Sequence, residues 1–173
     1  MKNTTLDYAI LGLLTANPMT TYAIRKAFEE TAIGNYSSSP GSIYPAVSRL
    51  RKLKLVVNTK EKSNTKIEIS EKGKATIKEW LTCPIQTAEI AKDSSLLILK
   101  FAFMDNLVTK KQKINFLNSL VEKTSAYLQS LENYHRDHAE MMPLHGRLAF
   151  EFGIANFKTQ LSWAKSSVLT IQQ

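Results

Sequence analysis

The chain has 173 residues, 43% hydrophobic and 22% charged, enough apolar material for one domain or two small ones. No run of about 18 apolar residues offers a membrane span, the polar start Met1-Lys2-Asn3-Thr4-Thr5 is unlike a secretory signal, and the single Cys83 rules out an intramolecular disulfide or a zinc cluster, so a reduced cytoplasmic location is expected. The net charge of +8 is uneven: up to Cys83 there are 13 Lys/Arg against 7 Asp/Glu, and beyond it 10 against 8, which makes nucleic acid the simplest partner for the first half.

Leu6, Ile10, Leu13 and Leu14 recur at helical spacing until Asn17-Pro18 breaks the pattern. Thr20 or Thr21 can cap a second helix running through Ile24, Ala27 and Phe28 to about Glu30. After a loop at Gly34-Asn35-Tyr36-Ser37 comes Ser38-Ser39-Pro40-Gly41-Ser42-Ile43-Tyr44-Pro45-Ala46-Val47-Ser48-Arg49-Leu50. Pro45 cannot donate a backbone hydrogen bond, so it belongs in the first turn of a helix, with Ser42 as the N-cap. Val47, Leu50 and Leu53 then form an apolar stripe, with Tyr44, Ser48, Arg49, Arg51 and Lys52 off it. Such a helix suits a DNA major groove.

Leu55-Val56-Val57 and Ile67-Glu68-Ile69 are β-prone, and the polar, lysine-bearing segment between them makes a hairpin with a basic tip. Lys60, Lys62 and Lys66 there suit phosphate oxygens. Ser70 caps a fourth helix with Ile77, Trp80 and Leu81 inside and Lys72, Lys74 and Lys78 outside. Three helices, a hairpin and a helix make a winged helix-turn-helix, with a boundary at Cys83-Pro84. The expected fold is therefore mainly α, α+β in its first part: a winged domain over 1–83 and an all-α dimerisation domain over 84–173.

In the second half, Leu96 to Phe103 is dense in apolar residues. A long helix from about Thr109 carries two heptad rows, Ile114, Val121, Leu128 and Leu117, Thr124, Leu131, and Met142-Pro143 ends it. The last helix repeats the pattern with Phe150, Ile154, Phe157, Leu161, Ala164, Val168 and Ile171. Consecutive seams imply an antiparallel hairpin with apolar surface left over, and homodimerisation is the expected remedy. Glu132, His135 and His138 have metal-like spacing, yet both histidines fall in the heptad rows near a helix end and need no metal. No nucleophile motif or Gly-rich phosphate loop is present, so neither catalysis nor a cofactor is expected.

Leu6 to Leu14, Pro18-Met19-Thr20-Thr21-Tyr22-Ala23-Ile24 and Gly41-Ser42-Ile43-Tyr44-Pro45-Ala46-Val47-Ser48-Arg49-Leu50 resemble the PadR family of bacterial transcriptional regulators. Ile67-Glu68-Ile69-Ser70-Glu71-Lys72-Gly73-Lys74 looks like that family's last wing strand and fourth helix, and Leu99-Lys100-Phe101, Gly153 and Trp163 match its subgroup with a larger C-terminal helical domain. The chain departs at Arg51-Lys52-Leu53-Lys54-Leu55, where members often carry an acidic residue and a glycine, and in a wing that lacks the usual arginine-rich tip.

The resemblance implies that Tyr44, Pro45, Ser48 and Arg49 face the groove, with Ser39, Gly41 and Ser42 near the DNA backbone. Arg49 is either bidentate to guanine or held by phosphate or a surface acid. Tyr22 is expected to pack between helices. The implied function is a homodimeric repressor on an inverted-repeat operator, relieved by a small aromatic effector. The alternative is an activator, or a regulator working through protein contacts without a ligand. Trp80, Phe101, Phe103, Phe150, Phe152 and Trp163 are material for an effector pocket, although aromatics at helical spacing serve cores more often.

Overall fold

The computed structural model describes residues 3–30, 40–59, 65–92 and 94–173. The chain divides into two compact units, 1–83 with 99–108, and 84–98 with 109–173. Residues 99–108, which the sequence places in the C-terminal domain, group with the winged part.

In the first unit, α1 (Thr5–Leu14) starts at a reciprocal cap: Asp7 N–H donates to Thr4 Oγ1, and Thr4 N–H donates to the Asp7 carboxylate. Helix α2 (Thr21–Glu30) starts where Thr20 Oγ1 accepts from Ala23 N–H at 3.1 Å. Helix α3 (Pro40–Lys52) begins earlier than expected, with Pro40 in its first position and Pro45 inside it. Ser42 is therefore within the helix, and the sequence-based N-cap is corrected. A proline at the first helical position loses no internal bond, so Pro40 is the natural start. Strands β1 (Val56–Asn58) and β2 (Ile67–Ile69) pair antiparallel with Val56 opposite Ile69 and Asn58 opposite Ile67. A further bridge joins Met19 to Ile67 through two bonds of 2.9 and 2.7 Å.

Helix α4 (Glu71–Thr82) has Ser70 as its N-cap. The Ser70 hydroxyl accepts from Gly73 N–H at 3.0 Å and donates to the Lys54 carbonyl at 2.8 Å, tying α4 to the end of α3. The core consists of Ile10, Leu11, Ile24, Phe28, Ile43, Leu50, Ile67, Ile77 and Leu81, all fully buried. Trp80 stacks on Tyr8, with centroids 4.5 Å apart, and the buried Lys100 places its ammonium 5.5 Å above the same indole. Phe103 lies against Gly12, leaving no room for a β-carbon there.

The exit from α3 is a Schellman turn: Leu55 N–H donates to the Leu50 carbonyl and Lys54 N–H to that of Arg51. The left-handed residue of such a turn is usually glycine, yet here it is Lys54, at φ 58°. A β-carbon in that region costs about 1–2 kcal/mol, and the greater unfolded freedom of glycine offsets part of this. Lys54→Gly is accordingly expected to raise stability by about 0.5 kcal/mol, read as a higher urea midpoint at unchanged slope.

In the second unit, α5 (Thr87–Lys92) packs on the long helix α7 (Lys110–His138). A 3-10 turn at Ala139–Met141 leads to α8 (Leu144–Gln172). The helix α6 (Ser94–Ala102) lies in neither unit alone. Thr109 and Gln112 make a reciprocal cap for α7. The α7–α8 hairpin is antiparallel, cross-linked by Lys110 to the Gln172 carbonyl (2.9 Å), Glu132 to Lys158 (2.8 Å) and His135 to Glu151 (3.2 Å). Tyr127 meets Phe157 edge-on, with centroids 5.1 Å apart. Glu132 and His135, whose spacing suggested a metal pair, thus each face a partner on α8.

Among the expected dimerisation residues, the hairpin buries Leu117, Leu128 and Ile154 and half-buries Ile114, Val121, Leu131, Phe157, Leu161 and Val168. In the single chain they line the intrachain seam, and six of the nine keep exposed surface. The large apolar side chains left exposed on or beside α8 are Met141 (73%), Leu144, Leu148, Phe152 (68%) and Leu169.

Candidate nucleic-acid interface

The sequence dictates two faces on α3. Ile43, Ala46, Val47 and Leu50 are buried, a helical stripe that pins α3 on α1 and α2. Gly41, Tyr44, Pro45, Ser48 and Lys52 follow at steps of three and four, so they form one row on the opposite side, and all five are exposed. Tyr44 is 51% exposed. Arg51 is exposed beside this row, and Ser42 is half-buried at its start.

Arg49 takes a different course. Its Nη2 donates to Asp7 Oδ1 at 2.6 Å and its Nε to Asp7 Oδ2 at 3.1 Å. Asp7 is fully buried and the Arg49 side chain is 27% exposed. The guanidinium fork, for which the sequence leaves guanine, phosphate or a surface acid as partner, is occupied by a carboxylate from α1, and that acid is buried. Nothing in the local sequence marks this pair, whose members are 42 residues apart.

In the wing, Val57 and Asn58 of β1 are exposed, Lys66 is half-buried, and Thr59 N–H closes on the Lys66 carbonyl at 2.9 Å. Ser39, Lys60 and Lys62 lie outside the described residues. Tyr22 departs from expectation. Instead of packing between helices it is 58% exposed, with the Arg25 guanidinium 5.1 Å above its ring. Its position at the start of α2, before the buried stripe of Ile24 and Phe28, explains why the helical period does not bury it.

The aromatic residues considered for a pocket are dispersed. Trp80 and Phe103 pack in the winged unit, Phe150 stacks with His135, and Phe152 is exposed. Trp163 lines a groove of about 650 Å³ in the second unit, with Ile98, Asn156, Phe157 and Gln160, and Phe103 lines a smaller hollow of about 220 Å³ in the first. Among the described residues no group of three or more His, Cys, Asp or Glu is placed to hold a metal ion, and no helix is long and apolar enough to cross a membrane.

Residues 10–79 match the model of the transcriptional regulator PadR-like family. The chain is similar to the negative transcriptional regulator PadR of Bacillus subtilis (strain 168), 25% identical over 97% of this chain and 98% of that one. Among solved structures it is similar to Bacillus subtilis PadR in complex with p-coumaric acid, at 22% identity and a TM-score of 0.46 over 98% of this chain and 100% of the other. It is likewise similar to the same regulator in complex with operator DNA, at 22% identity and a TM-score of 0.44 over 97% and 99%.

Proposed function

We propose, from the match of residues 10–79 to the PadR-like family, that the protein is a homodimeric, sequence-specific DNA-binding repressor of the cytoplasm. The observation that carries the reading is the exposed row Gly41, Tyr44, Pro45, Ser48 and Lys52 on α3, opposite a buried row that fixes the helix in place. Tyr44 and Ser48 are sized for base edges and thymine methyls, and Lys52 with Arg51 for phosphates. The wing lysines Lys60, Lys62 and Lys66 add phosphate contacts. The relative named a negative regulator supports repression.

A two-fold reader needs a surface for its second copy. The hairpin seam is occupied, so the outer face of α8 takes that role in our reading. Leu144, Leu148 and Phe152 follow one another at steps of four, and Trp163 lies three turns beyond Phe152 on the same side. Such an isologous pairing presents two α3 helices to an inverted-repeat operator with half-sites one helical turn, or a multiple, apart. Relief by a small aromatic effector, as the family resemblance implies, completes the reading.

The test is DNA binding as a function of salt, using fragments selected from a random pool by the protein itself. Affinity should fall by about 0.9 log units per neutralised phosphate for each log unit of salt, and Lys52→Ala should reduce that slope by about one. Salt-independent binding, or a pool that yields no preferred sequence, would overturn it.

A further inference from the structure

Asp7 is the only fully buried acidic side chain among the described residues, and its carboxylate accepts three hydrogen bonds. Oδ2 accepts from Thr4 N–H at 2.8 Å and from Arg49 Nε at 3.1 Å, and Oδ1 accepts from Arg49 Nη2 at 2.6 Å. The pair also joins complementary helix ends. Asp7 sits in the first turn of α1, where the macrodipole favours an anion, and Arg49 in the last turn of α3, where it favours a cation.

A planar fork on a planar carboxylate tolerates a narrow range of mutual orientations, an angular constraint added to the non-directional apolar contacts of the buried row. Arg49 follows Ser48 directly and stands one turn from Pro45, so whatever holds Arg49 holds the reading row. A roll of α3 by about 10° would carry its side-chain tips by roughly 1 Å, enough to break a base-edge hydrogen bond. Stability alone does not require the pair, because a well-packed apolar substitute for a buried ion pair is often neutral.

We propose that Asp7 is a positioning residue for DNA recognition: through Arg49 it sets the rotation of α3 and so aims Tyr44, Pro45 and Ser48, while neither member of the pair contacts a base. This rests on the DNA-binding reading above. The guanidinium that the sequence offers to guanine is, on this view, an internal strut.

The experiment compares wild type, Asp7→Asn, Arg49→Lys and the double variant Asp7→Leu/Arg49→Met in the full chain. The probes are the duplex that wild type selects from a random pool and a scrambled duplex of equal length. Thermal unfolding is followed alongside. The double variant is expected to unfold near the wild-type temperature, yet to lose about tenfold or more of its preference for the selected duplex. Binding to the scrambled duplex and the salt slope should stay at wild-type values. Asp7→Asn and Arg49→Lys should lose preference to the same degree, because each breaks the same fork. Should the double variant fail to fold, these two singles decide.

Variants that keep the wild-type preference would overturn the proposal. So would an Arg49→Lys effect absent from Asp7→Asn, which would place the guanidinium on DNA. A wild type that selects no sequence would overturn the DNA-binding reading itself, an outcome distinct from both.

Discussion

Gly73→Ala should destabilise the winged unit by about 3 kcal/mol, against the direction that helix propensity dictates. Within a helix, alanine is favoured over glycine by about 1 kcal/mol. At this position, however, an added β-carbon would drive into the Leu55 carbonyl oxygen and lie 2.8 Å from Ile69 Cγ1. The obstacle is backbone that is already bonded, since Ser70 N–H donates to that same Leu55 carbonyl at 3.0 Å. It cannot swing away as a flexible side chain would. Relief requires α4 to lift from the wing, at the expense of the Ser70 contacts on both sides. The measurement is urea denaturation followed by Trp80 fluorescence in a Trp163→Phe background. A midpoint equal to or above that of the parent would show that the α4–wing approach is looser than these distances imply.

Phe152→Asp is expected to produce a monomer that is fully folded and a poor DNA binder. Phe152 is 68% exposed and lies on the side of α8 away from Ile154, which faces the α7 seam. A carboxylate there disturbs nothing within the hairpin but is intolerable in an apolar subunit contact. Loss of one half-site removes the second binding event, and operator affinity should fall by about 10²-fold or more. Ile154→Asp provides the contrast, since its side chain is 8% exposed and its replacement should unfold the hairpin. Sedimentation, far-UV circular dichroism and operator titration separate the two. A Phe152→Asp protein that stays dimeric would move the subunit contact elsewhere.

Much of the winged unit was legible because its elements obey local rules. The period of Leu6, Ile10 and Leu14, the alternation of Ile67 and Ile69, and the caps at Thr20 and Ser70 all require only neighbouring residues to be read. The exposed row on α3 followed from the same periodicity. One error arose where equally good local signals competed. Pro45 and Ser42 make a plausible helix start, but Pro40 makes one too, and the apolar residue Ile43 between them lies on the buried stripe and extends the helix backwards. In the long helices the heptad pattern is real, and the same rows that suit a subunit interface also suit the hairpin, so periodicity alone does not say which surface a row serves. Burial on α7, which packs on α5 as well as α8, extends to Phe116 and Leu120, outside the two rows. The Asp7–Arg49 pair was illegible for another reason. Residues 42 positions apart meet only after three helices have packed, and no composition or spacing carries that information.

The bridge between Met19 and Ile67 has a consequence for how this recognition motif can be handled. Met19 stands in the turn between α1 and α2, and Ile67 opens the returning strand of the wing, so each supplies the other's backbone bond. The helix-turn-helix is therefore not a cassette that can be cut out before residue 56 and grafted onto another scaffold. A fragment trimmed that way leaves the Met19 amide and carbonyl without partners at the edge of a core that also loses Ile67 and Ile69. In hydrogen exchange, the amides of Met19 and Ile67 should open together and at the rate of the whole unit, as members of one cooperative block.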